Sequence, residues 1–439
     1  MRARLFLLAA ALAAFGGSLF AGFHLDDYAI FSDTSQRALA WPHPLTHLLD
    51  WLNYQAAGQE PLAYHAVNLL LHLGAVLLAY ECLRRLLPPT AAVIAAAIFA
   101  VHPLPAEAVN YVAARGVTIA ALLCFAALLA WIEGQPWLAV AAFAAALLAN
   151  QQCAGFPLVL LVVDRRRKVP LAIAATLAVA AILHGVQHYA FALPAARILR
   201  LFLLPWGFTV APDVHEPMVL TIAASLVIVG IVANGWRKLR CGSELSWLVV
   251  GLFLLMGSYP PNQAADPRAY LPLFAFAAAA GLLLARIPAR AVAFGLVVIL
   301  AAVSISRTYV WMSDERLWRE AVRRAPNLVE PKIQLAKSLR AADALELLSR
   351  ARQQAPYNAE IPAQIGKVLL DEQQYDGAVE ELSRAVALDP RNALVFNNRG
   401  VALAALGQVP AAEADFEHAL ELDPHLDEAR ENLKRLGVR

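Results

Sequence analysis

Long apolar stretches recur along the first 307 residues of the chain and then stop. A helix needs roughly 20 predominantly apolar residues to cross a bilayer. The third, fifth, sixth and ninth stretches are shorter, which is typical of half-spans or of segments in a protein-lined groove. The pattern predicts an all-α, polytopic transmembrane bundle of about eleven spans. These lie near 4–23, 63–83, 90–102, 116–133, 136–150, 154–164, 170–191, 218–235, 246–259, 269–285 and 291–307.

A different period governs the C-terminal part. Pro356, Pro390 and Pro424 follow one another at intervals of 34 residues, which is the period of the tetratricopeptide repeat. Small residues and an aromatic recur in register with these prolines, so that two helices pack closely in each unit. We predict about three repeats and a capping helix over 327–439, preceded by a linker helix at 308–326. The residues in register in the last unit are Phe396, Gly400, Leu403, Ala412, Phe416 and Ala419.

The N-terminus fits two interpretations. Arg2 and Arg4 followed by apolar residues to Phe20 have the form of a cleaved secretory signal. They also have the form of a retained first span with a cytoplasmic N-terminus. The apolar stretch continues to Phe23 and many spans follow, which favours the retained span.

The composition supports a membrane protein. The chain is 60% hydrophobic and 16% charged, with a mean hydropathy of +0.55, whereas soluble domains have roughly a quarter of their residues charged. The net charge of +2 gives no sign of a nucleic-acid partner. The four cysteines are scattered, so neither a disulfide framework nor a cysteine metal site is expected.

Basic residues cluster in alternate loops of the proposed series, as the positive-inside rule requires. This predicts that the first long loop (24–62) and everything after residue 307 lie outside the cytoplasm. The Arg- and Ala-rich composition favours a high-GC bacterium, hence an inner-membrane protein with periplasmic repeats. The clusters are Arg2/Arg4, Arg84/Arg85, Arg165–Lys168, Arg237–Arg240 and Arg286/Arg290.

Two adjacent carboxylates, Asp26 and Asp27, follow the first predicted span on the outer side. Carboxylates at a membrane face are costly unless they are solvated or paired. They are either a hydrated helix exit or a catalytic pair. In a catalytic pair one carboxylate is a general base whose pKa is shifted by its partner.

Polar side chains recur on one face of the second predicted span. His65, Asn68 and His72 are spaced i, i+3, i+7 and follow Tyr64. Bonding to neighbouring helices and lining a substrate pocket explain this spacing about equally well. No clear third ligand accompanies the imidazoles, so no metal or other cofactor is assigned, and a divalent ion is unsupported.

Further polar residues fall in the other predicted outer loops. His102, Glu107 and Arg115 lie between the third and fourth spans, and Arg268 precedes the tenth. Arg268 is suited to bidentate phosphate binding or to anchoring at the membrane surface.

Taken in order, these motifs resemble the bacterial branch of the transmembrane, tetratricopeptide-repeat-containing O-mannosyltransferase-like family. The resemblance covers essentially the whole chain, and the ordered series is more specific than any one motif. The matching segments are Asp26-Asp27, Pro44-Leu45-Thr46, Tyr64–His72, Phe99–Pro103, Glu107–Tyr111, Arg115-Gly116, Arg268–Pro272 and Trp311–Trp318.

This resemblance implies a glycosyltransferase C-type bundle over 1–307, with its active site in the first outer loop. It implies an inverting transfer from a polyprenyl-phosphate sugar to a protein hydroxyl. Asp26 or Asp27 is then the base, and Arg268, helped by Arg115 or His102, stabilises the departing phosphate. The repeats hold the acceptor protein. The expected substrate-binding residues are Tyr64, His65, Asn68, His102, Glu107, Arg115 and Arg268.

Two other functions compete with this hypothesis. A non-catalytic scaffold would use the repeats to bind an envelope or pilus protein and the bundle only as an anchor. A transporter would place ionisable residues near the bilayer midplane and show duplicated sets of spans, whereas the acids here cluster at the outer face.

Overall fold

The computed structural model describes residues 1–28, 43–164, 166–185, 201–205, 208–210, 243–256, 269–288 and 290–437. Every regular element in these residues is a helix, which confirms the all-α prediction. The chain divides into two compact units, Met1–Ser313 and Asp314–Arg439.

The first unit is a bundle of α-helices joined by short turns, four of which are 3-10 helices. The α-helices are α1 (Arg2–Phe15), α2 (Pro44–Ala57), α3 (Pro61–Leu86), α4 (Pro89–Val101), α5 (Ala106–Asn110), α6 (Arg115–Ile132), α7 (Pro136–Ala149), α8 (Pro157–Val163), α9 (Lys168–Gly185), α10 (Glu244–Met256), α11 (Tyr270–Leu284) and α12 (Arg290–Val310). The 3-10 helices are Gly16–Phe20, Leu25–Tyr28, Val112–Ala114 and Gln151–Gly155.

The prediction of about eleven spans is not met within the described residues. Four of the described helices are long and apolar enough to cross a membrane: Arg2–Phe20, Pro61–Leu86, Val112–Ile132 and Ala291–Val310. Five more are apolar but shorter, namely Pro89–Val101, Pro136–Ala149, Gln151–Val163, Lys168–Ala180 and Tyr270–Leu284.

Proline accounts for much of this shortfall. Pro89, Pro136 and Pro157 each occupy the first turn of a helix. Proline is tolerated there and disrupts a helix interior, so apolar sequence is cut into pieces of 7 to 14 residues. The predicted span at 218–235 lies outside the described residues.

Small residues allow the helices of the bundle to approach closely. Gly281 of α11 packs against α4, where a Cβ would come within 2.5 Å of the Ala91 carbonyl oxygen and 2.8 Å of the Ala95 Cβ. Ala91 and Ala95 are fully buried. Close backbone approach through small residues is how helices associate when hydrocarbon surrounds them.

Ion pairs bring three of the predicted cytoplasmic loops to one end of the bundle, called here the basic end. Arg4 lies 2.6 Å from Glu81, and Arg85 lies 2.5 Å from Glu133. Arg167 donates a hydrogen bond to the carbonyl oxygen of Trp131. Loops that alternate along the chain therefore share an end, while the orientation of that end in a membrane stays a prediction.

The second unit is a solenoid of paired helices. Its helices are α13 (Asp314–Arg324), α14 (Glu330–Ala336), α15 (Ala341–Gln354), α16 (Glu360–Asp371), α17 (Tyr375–Leu388), α18 (Ala393–Ala405), α19 (Val409–Leu422) and α20 (Asp427–Arg435). Since α12 runs to Val310, the predicted boundary at residue 307 falls inside a helix. The linker helix assigned to 308–326 stays a prediction.

Glycines set the spacing between paired helices of the solenoid. A Cβ at Gly366 would come within 2.5 Å of Leu382, and one at Gly400 within 2.7 Å of the Phe416 ring. Leu382 and Phe416 are buried, so neither side chain has free space into which it can move. These are equivalent positions in successive repeats, 34 residues apart.

We expect Gly400→Ala to destabilise the solenoid by about 1–3 kcal/mol, the usual cost of overpacking a core. Gly377→Ala is the matched control. Its Cβ would meet one Leu369 methyl at 3.3 Å, and exchanging a helical glycine for alanine stabilises by roughly 0.5–1 kcal/mol. Urea unfolding of residues 314–439, which contain their own hydrophobic clusters, measures both. Equal midpoints for the two variants would contradict the assigned packing.

Candidate functional site

The turn that follows the first predicted span is held by Asp27. Asp27 is fully buried and both of its carboxylate oxygens accept backbone hydrogen bonds. The Ala113 N–H donates to Oδ1 at 2.7 Å and the His24 N–H donates to Oδ2 at 3.0 Å. The carboxylate therefore joins the exit of α1 to the 3-10 helix before α6.

Burial also changes the acidity of this group. Loss of solvation raises the pKa of Asp27 to about 6, although the two backbone hydrogen bonds and the nearby His24 oppose the shift. A carboxylate with a pKa near neutrality is suited to general-base catalysis. Asp26 lies in the same 3-10 helix, and its side chain is outside the described set.

The predicted polar face of α3 is present and buried. Tyr64 donates its hydroxyl to the Gly58 carbonyl at 2.8 Å, and His65 Nε2 lies 3.1 Å from the Gly22 carbonyl. The Asn68 amide donates to the carbonyl oxygens of Val109 and Tyr111 at 3.4 and 3.3 Å. The polar side chains of this face therefore bind backbone carbonyls of two segments, one around Gly22 and one at 109–111. These are the two segments that the Asp27 carboxylate also joins.

His72, one turn further into the bundle, is satisfied in the same way. Its Nδ1 lies 2.6 Å from the Tyr270 hydroxyl and its Nε2 lies 3.2 Å from the Ala100 carbonyl. Since that carbonyl can only accept, Nε2 carries the proton and Nδ1 accepts from the tyrosine. At His72, the i, i+3, i+7 spacing therefore corresponds to hydrogen bonding between neighbouring helices.

Arg115 has a different environment from the one expected of a phosphate ligand. Its side chain is fully buried, and Nη1 forms an ion pair with Asp50 at 2.9 Å. Nη1 also donates to Asn53 Oδ1 at 3.3 Å, while Nη2 donates to the Tyr64 carbonyl at 3.3 Å. The guanidinium lies 5.2 Å from the centre of the Tyr64 ring. These contacts tie α2 to the beginnings of α3 and α6.

The α2 residues of this network were not among the sequence-predicted site residues. Thr46, Asp50 and Asn53 are buried, and the Thr46 hydroxyl donates to the Ala149 carbonyl at 2.9 Å. Burial raises the pKa of Asp50, and the neighbouring Arg115 opposes that shift. The spacing i, i+4, i+7 places all three on one helix face, and this signal was available in the sequence.

The remaining predicted residues are dispersed. His102 accepts a hydrogen bond from the Leu104 N–H at 3.1 Å, and its Nε2 lies 3.2 Å from the Phe202 carbonyl. Both of its ring nitrogens are thus occupied within the protein. Glu107 is half-buried on α5. Arg268 lies outside the described residues.

Several buried polar atoms near Asp27 and Arg115 have no hydrogen-bond partner in the described part of the chain. They include His65 Nδ1, Asn68 Oδ1, Arg115 Nε and also Asp50 Oδ1, which lies beside Arg115 as an ion pair without hydrogen-bond geometry. Unsatisfied buried groups are rare in folded proteins and call for an explanation. In the same residues, no group of three or more His, Cys, Asp or Glu side chains is arranged to hold a metal ion.

We expect Asp50→Ala and Arg115→Ala each to lower the free energy of unfolding by about 3–5 kcal/mol, because each leaves a buried charge without its partner. The double variant Asp50→Leu, Arg115→Met should recover much of this loss. Thermal unfolding of the full-length protein in detergent, followed by tryptophan fluorescence, measures the effect.

Glu133→Ala is the control for these single and double variants. The Arg85–Glu133 pair is partly exposed, and exposed pairs contribute about 0–1 kcal/mol. If Asp50→Ala were as mild as Glu133→Ala, or if the two losses added in the double variant, Asp50 and Arg115 would not be a coupled buried pair.

Comparison with known families bears on the second unit. Residues 366–407 match a family described as TPR repeat, and residues 393–426 match one described as tetratricopeptide repeat. The predicted repeats are thereby confirmed for the C-terminal part of the chain.

Among curated relatives, Protein O-mannosyl-transferase Tmtc1 of Drosophila melanogaster is 44% identical over 91 residues, or 20% of this chain and 10% of that protein. Protein O-mannosyl-transferase TMTC3 of Homo sapiens is 27% identical over 146 residues, or 28% of this chain and 16% of that protein. RNA polymerase II-associated protein 3 of Xenopus tropicalis is 31% identical over 95 residues, or 22% of this chain and 14% of that protein.

The matches span between 10% and 16% of the length of these relatives. The chain therefore combines tetratricopeptide repeats and membrane-type apolar helices with partial homology to proteins named as O-mannosyl-transferases.

Proposed function

We propose that this protein is a membrane glycosyltransferase of the glycosyltransferase C type, which moves a sugar from a polyprenyl-phosphate donor to a protein hydroxyl. The observation that carries the proposal is the partial homology to proteins named as O-mannosyl-transferases. The reaction takes place on the outer face of a bacterial inner membrane, with inversion at the anomeric carbon.

The base in this proposal is one of the adjacent carboxylates Asp26 and Asp27. It accepts the proton of the acceptor hydroxyl as that oxygen attacks the sugar, and the bond from sugar to polyprenyl phosphate breaks. Asp27 is supported by its pKa of about 6. Its two backbone hydrogen bonds support a second role as well, which is to hold the turn that carries Asp26.

Phosphate stabilisation falls to Arg268 in this scheme. A guanidinium suits the departing phosphate because it donates two parallel hydrogen bonds. The contacts of Arg115 with Asp50 and Asn53 support a positioning role for Arg115, and the occupied ring of His102 supports the same for His102. Tyr64, His65, Asn68 and Glu107 remain the proposed lining of the substrate site.

The repeats supply the acceptor. Tetratricopeptide units stack into extended concave surfaces that bind other proteins, and tethering an acceptor raises its local concentration at the membrane. In this scheme the repeats lie in the periplasm. Helix α2, which carries Trp51 and Tyr54, is an interfacial helix beside the lipid chain of the donor.

We expect asparagine in place of the catalytic member of the pair, Asp26 or Asp27, to lower transfer sharply, because the amide keeps the shape and removes the proton acceptor. General-base catalysis contributes about 10²–10⁴-fold. Asp27→Asn should also destabilise the protein, since an amide has one accepting oxygen for the two N–H groups that the carboxylate now satisfies. Arg268→Ala should weaken use of the lipid donor. Intact-mass spectrometry of acceptor proteins, from cells with matched expression, measures transfer.

The non-catalytic scaffold gives the opposite result in this experiment. Cells that carry Asp26→Asn, Asp27→Asn or Arg268→Ala would then behave as wild type whenever the protein is inserted. Full acceptor modification by the Asp26→Asn, Asp27→Asn double variant would refute the catalytic assignment. Thermal unfolding of each variant separates loss of fold from loss of chemistry.

The pH dependence distinguishes the two carboxylates. If Asp27 is the base, it must be deprotonated, so transfer should be constant above about pH 6 and fall about tenfold per unit below it. The measurement is the initial rate of transfer at low donor concentration, which reports the free enzyme. An acidic limb centred near pH 4, the ordinary range of an aspartate, would exclude Asp27 and favour Asp26.

A further inference from the structure

An apolar cleft opens at the basic end of the bundle, away from the candidate site. It has a volume of about 650 Å³, within the roughly 300–1,000 Å³ of ligand pockets. Its walls come from α1, α4, the end of α11 and the beginning of α12, and apart from Thr90 its lining is apolar. Lining residues include Phe6, Val93, Ala97, Leu284, Phe294 and Val297.

Hydrocarbon is the natural neighbour of this cleft. Two of its walls belong to helices that qualify as membrane spans, Arg2–Phe20 and Ala291–Val310. Phe294 is 62% exposed, and Phe6 and Ile287 are also exposed. Exposed apolar surface of this extent is costly in water, whereas an acyl chain lying in the cleft would cover it.

The rim of the cleft is positively charged. The segments 2–6, 84–90 and 284–288, which enter or border the cleft, contain five arginines and no carboxylate. Three glutamates on neighbouring elements, Glu81, Glu133 and Glu244, pair with four of these arginines. Among the described side chains, five positive charges against three negative ones leave a surplus.

Arg2 is the best placed of the surplus charges. It is exposed and forms no ion pair with any described residue. It precedes Phe6 by four positions in α1, so both side chains lie on the same face of the helix. The α4 N-terminus at Pro89 and Thr90 also borders the cleft, and the partial positive charge of a helix N-terminus favours an anion.

We propose that this cleft is a binding site for an anionic phospholipid. One acyl chain lies between α1, α4 and α12, and the phosphate-bearing headgroup lies at the arginine rim near Arg2. The charge of the rim selects an anionic headgroup over a zwitterionic one. This inference depends on membrane insertion and does not depend on the proposed glycosyltransferase activity.

The position of the cleft distinguishes this lipid from a sugar donor. Phe6 and the end of the first helical segment at Phe20 are separated by 14 residues, or about 20 Å at 1.5 Å per residue. A donor whose phosphate reacts near Asp26 and Asp27 cannot place the same phosphate at the arginine rim. The cleft therefore holds a second lipid, taken from the leaflet at the basic end.

Native mass spectrometry of the purified full-length protein, with phosphatidylglycerol and phosphatidylcholine of identical chains, tests the site. Wild type should retain phosphatidylglycerol preferentially. Val93→Trp, which fills the cleft, should lose it, whereas Val298→Trp, at a position 49% exposed and outside the cleft, should not. Arg2→Gln should weaken phosphatidylglycerol binding about fivefold, the usual effect of one basic side chain near an anionic surface, and Arg340→Gln should have no effect.

Equal retention of the two lipids by wild type, or unchanged retention by Val93→Trp, would overturn the proposal. Preferential retention of a polyprenyl phosphate that Val93→Trp abolishes would overturn it in favour of a donor site. If Val93→Trp does not fold, photocrosslinking of wild type with a diazirine-bearing phosphatidylglycerol decides. Crosslinks in α1, α4 and 284–297 that phosphatidylglycerol but not phosphatidylcholine removes support the site, and a uniform distribution over the apolar helices refutes it.

Discussion

The buried ion pair between Arg115 and Asp50 organises the end of the bundle that lies opposite the basic end. A guanidinium removed from water is stable only when a counter-charge and hydrogen-bond acceptors surround it. Asp50 supplies the charge, and Asn53 Oδ1 and the Tyr64 carbonyl oxygen each accept one hydrogen bond from the guanidinium. Because these partners come from α2 and α3 while Arg115 begins α6, one desolvated charge fixes the mutual positions of three helices. The amphipathic helix α2 is consequently held against the bundle by its polar face as well as by its apolar residues.

Asp27 extends the same logic to the connection between α1 and α6. Its carboxylate accepts hydrogen bonds from two backbone N–H groups that the turns of 3-10 helix leave unpaired. The buried carboxylate thus takes the place of the water that these two amides would otherwise bind. The cost of burial appears as the raised pKa. A contact that holds the turn and a pKa near neutrality thus arise from one placement. Loss of activity in an Asp27 variant would therefore not distinguish a chemical role from the structural one. The pH dependence of the reaction would distinguish them.

The sequence predicted those features that depend on local periodicity. The 34-residue spacing of Pro356, Pro390 and Pro424 marks the repeats because each unit repeats the same close contact, such as that of Gly400 with Phe416. The span count was not predictable in the same way, since hydropathy alone does not report where a proline begins a new, shorter helix. The ion pair of Arg115 with Asp50 was not predicted, because the two residues lie 65 positions apart and pairing over that distance leaves no local pattern in the sequence. The face formed by Thr46, Asp50 and Asn53, in contrast, follows helical spacing within one element and is predictable from the sequence.

The two ends of the bundle differ in how their charges are neutralised. At the end opposite the basic end, Asp27, Asp50 and Arg115 are buried and make their contacts within the protein, an arrangement suited to holding groups in fixed positions. At the basic end four arginines share three glutamates and Arg2 is exposed without an ion pair to any described residue, so its charge is left to be neutralised by groups outside the described residues. An anionic membrane surface is the environment that supplies such charges continuously. Because α1 begins among the arginines and is followed by the aspartates, the first predicted span joins an end whose charges are paired inside the protein to an end with unpaired positive charge, the end at which we propose the lipid site.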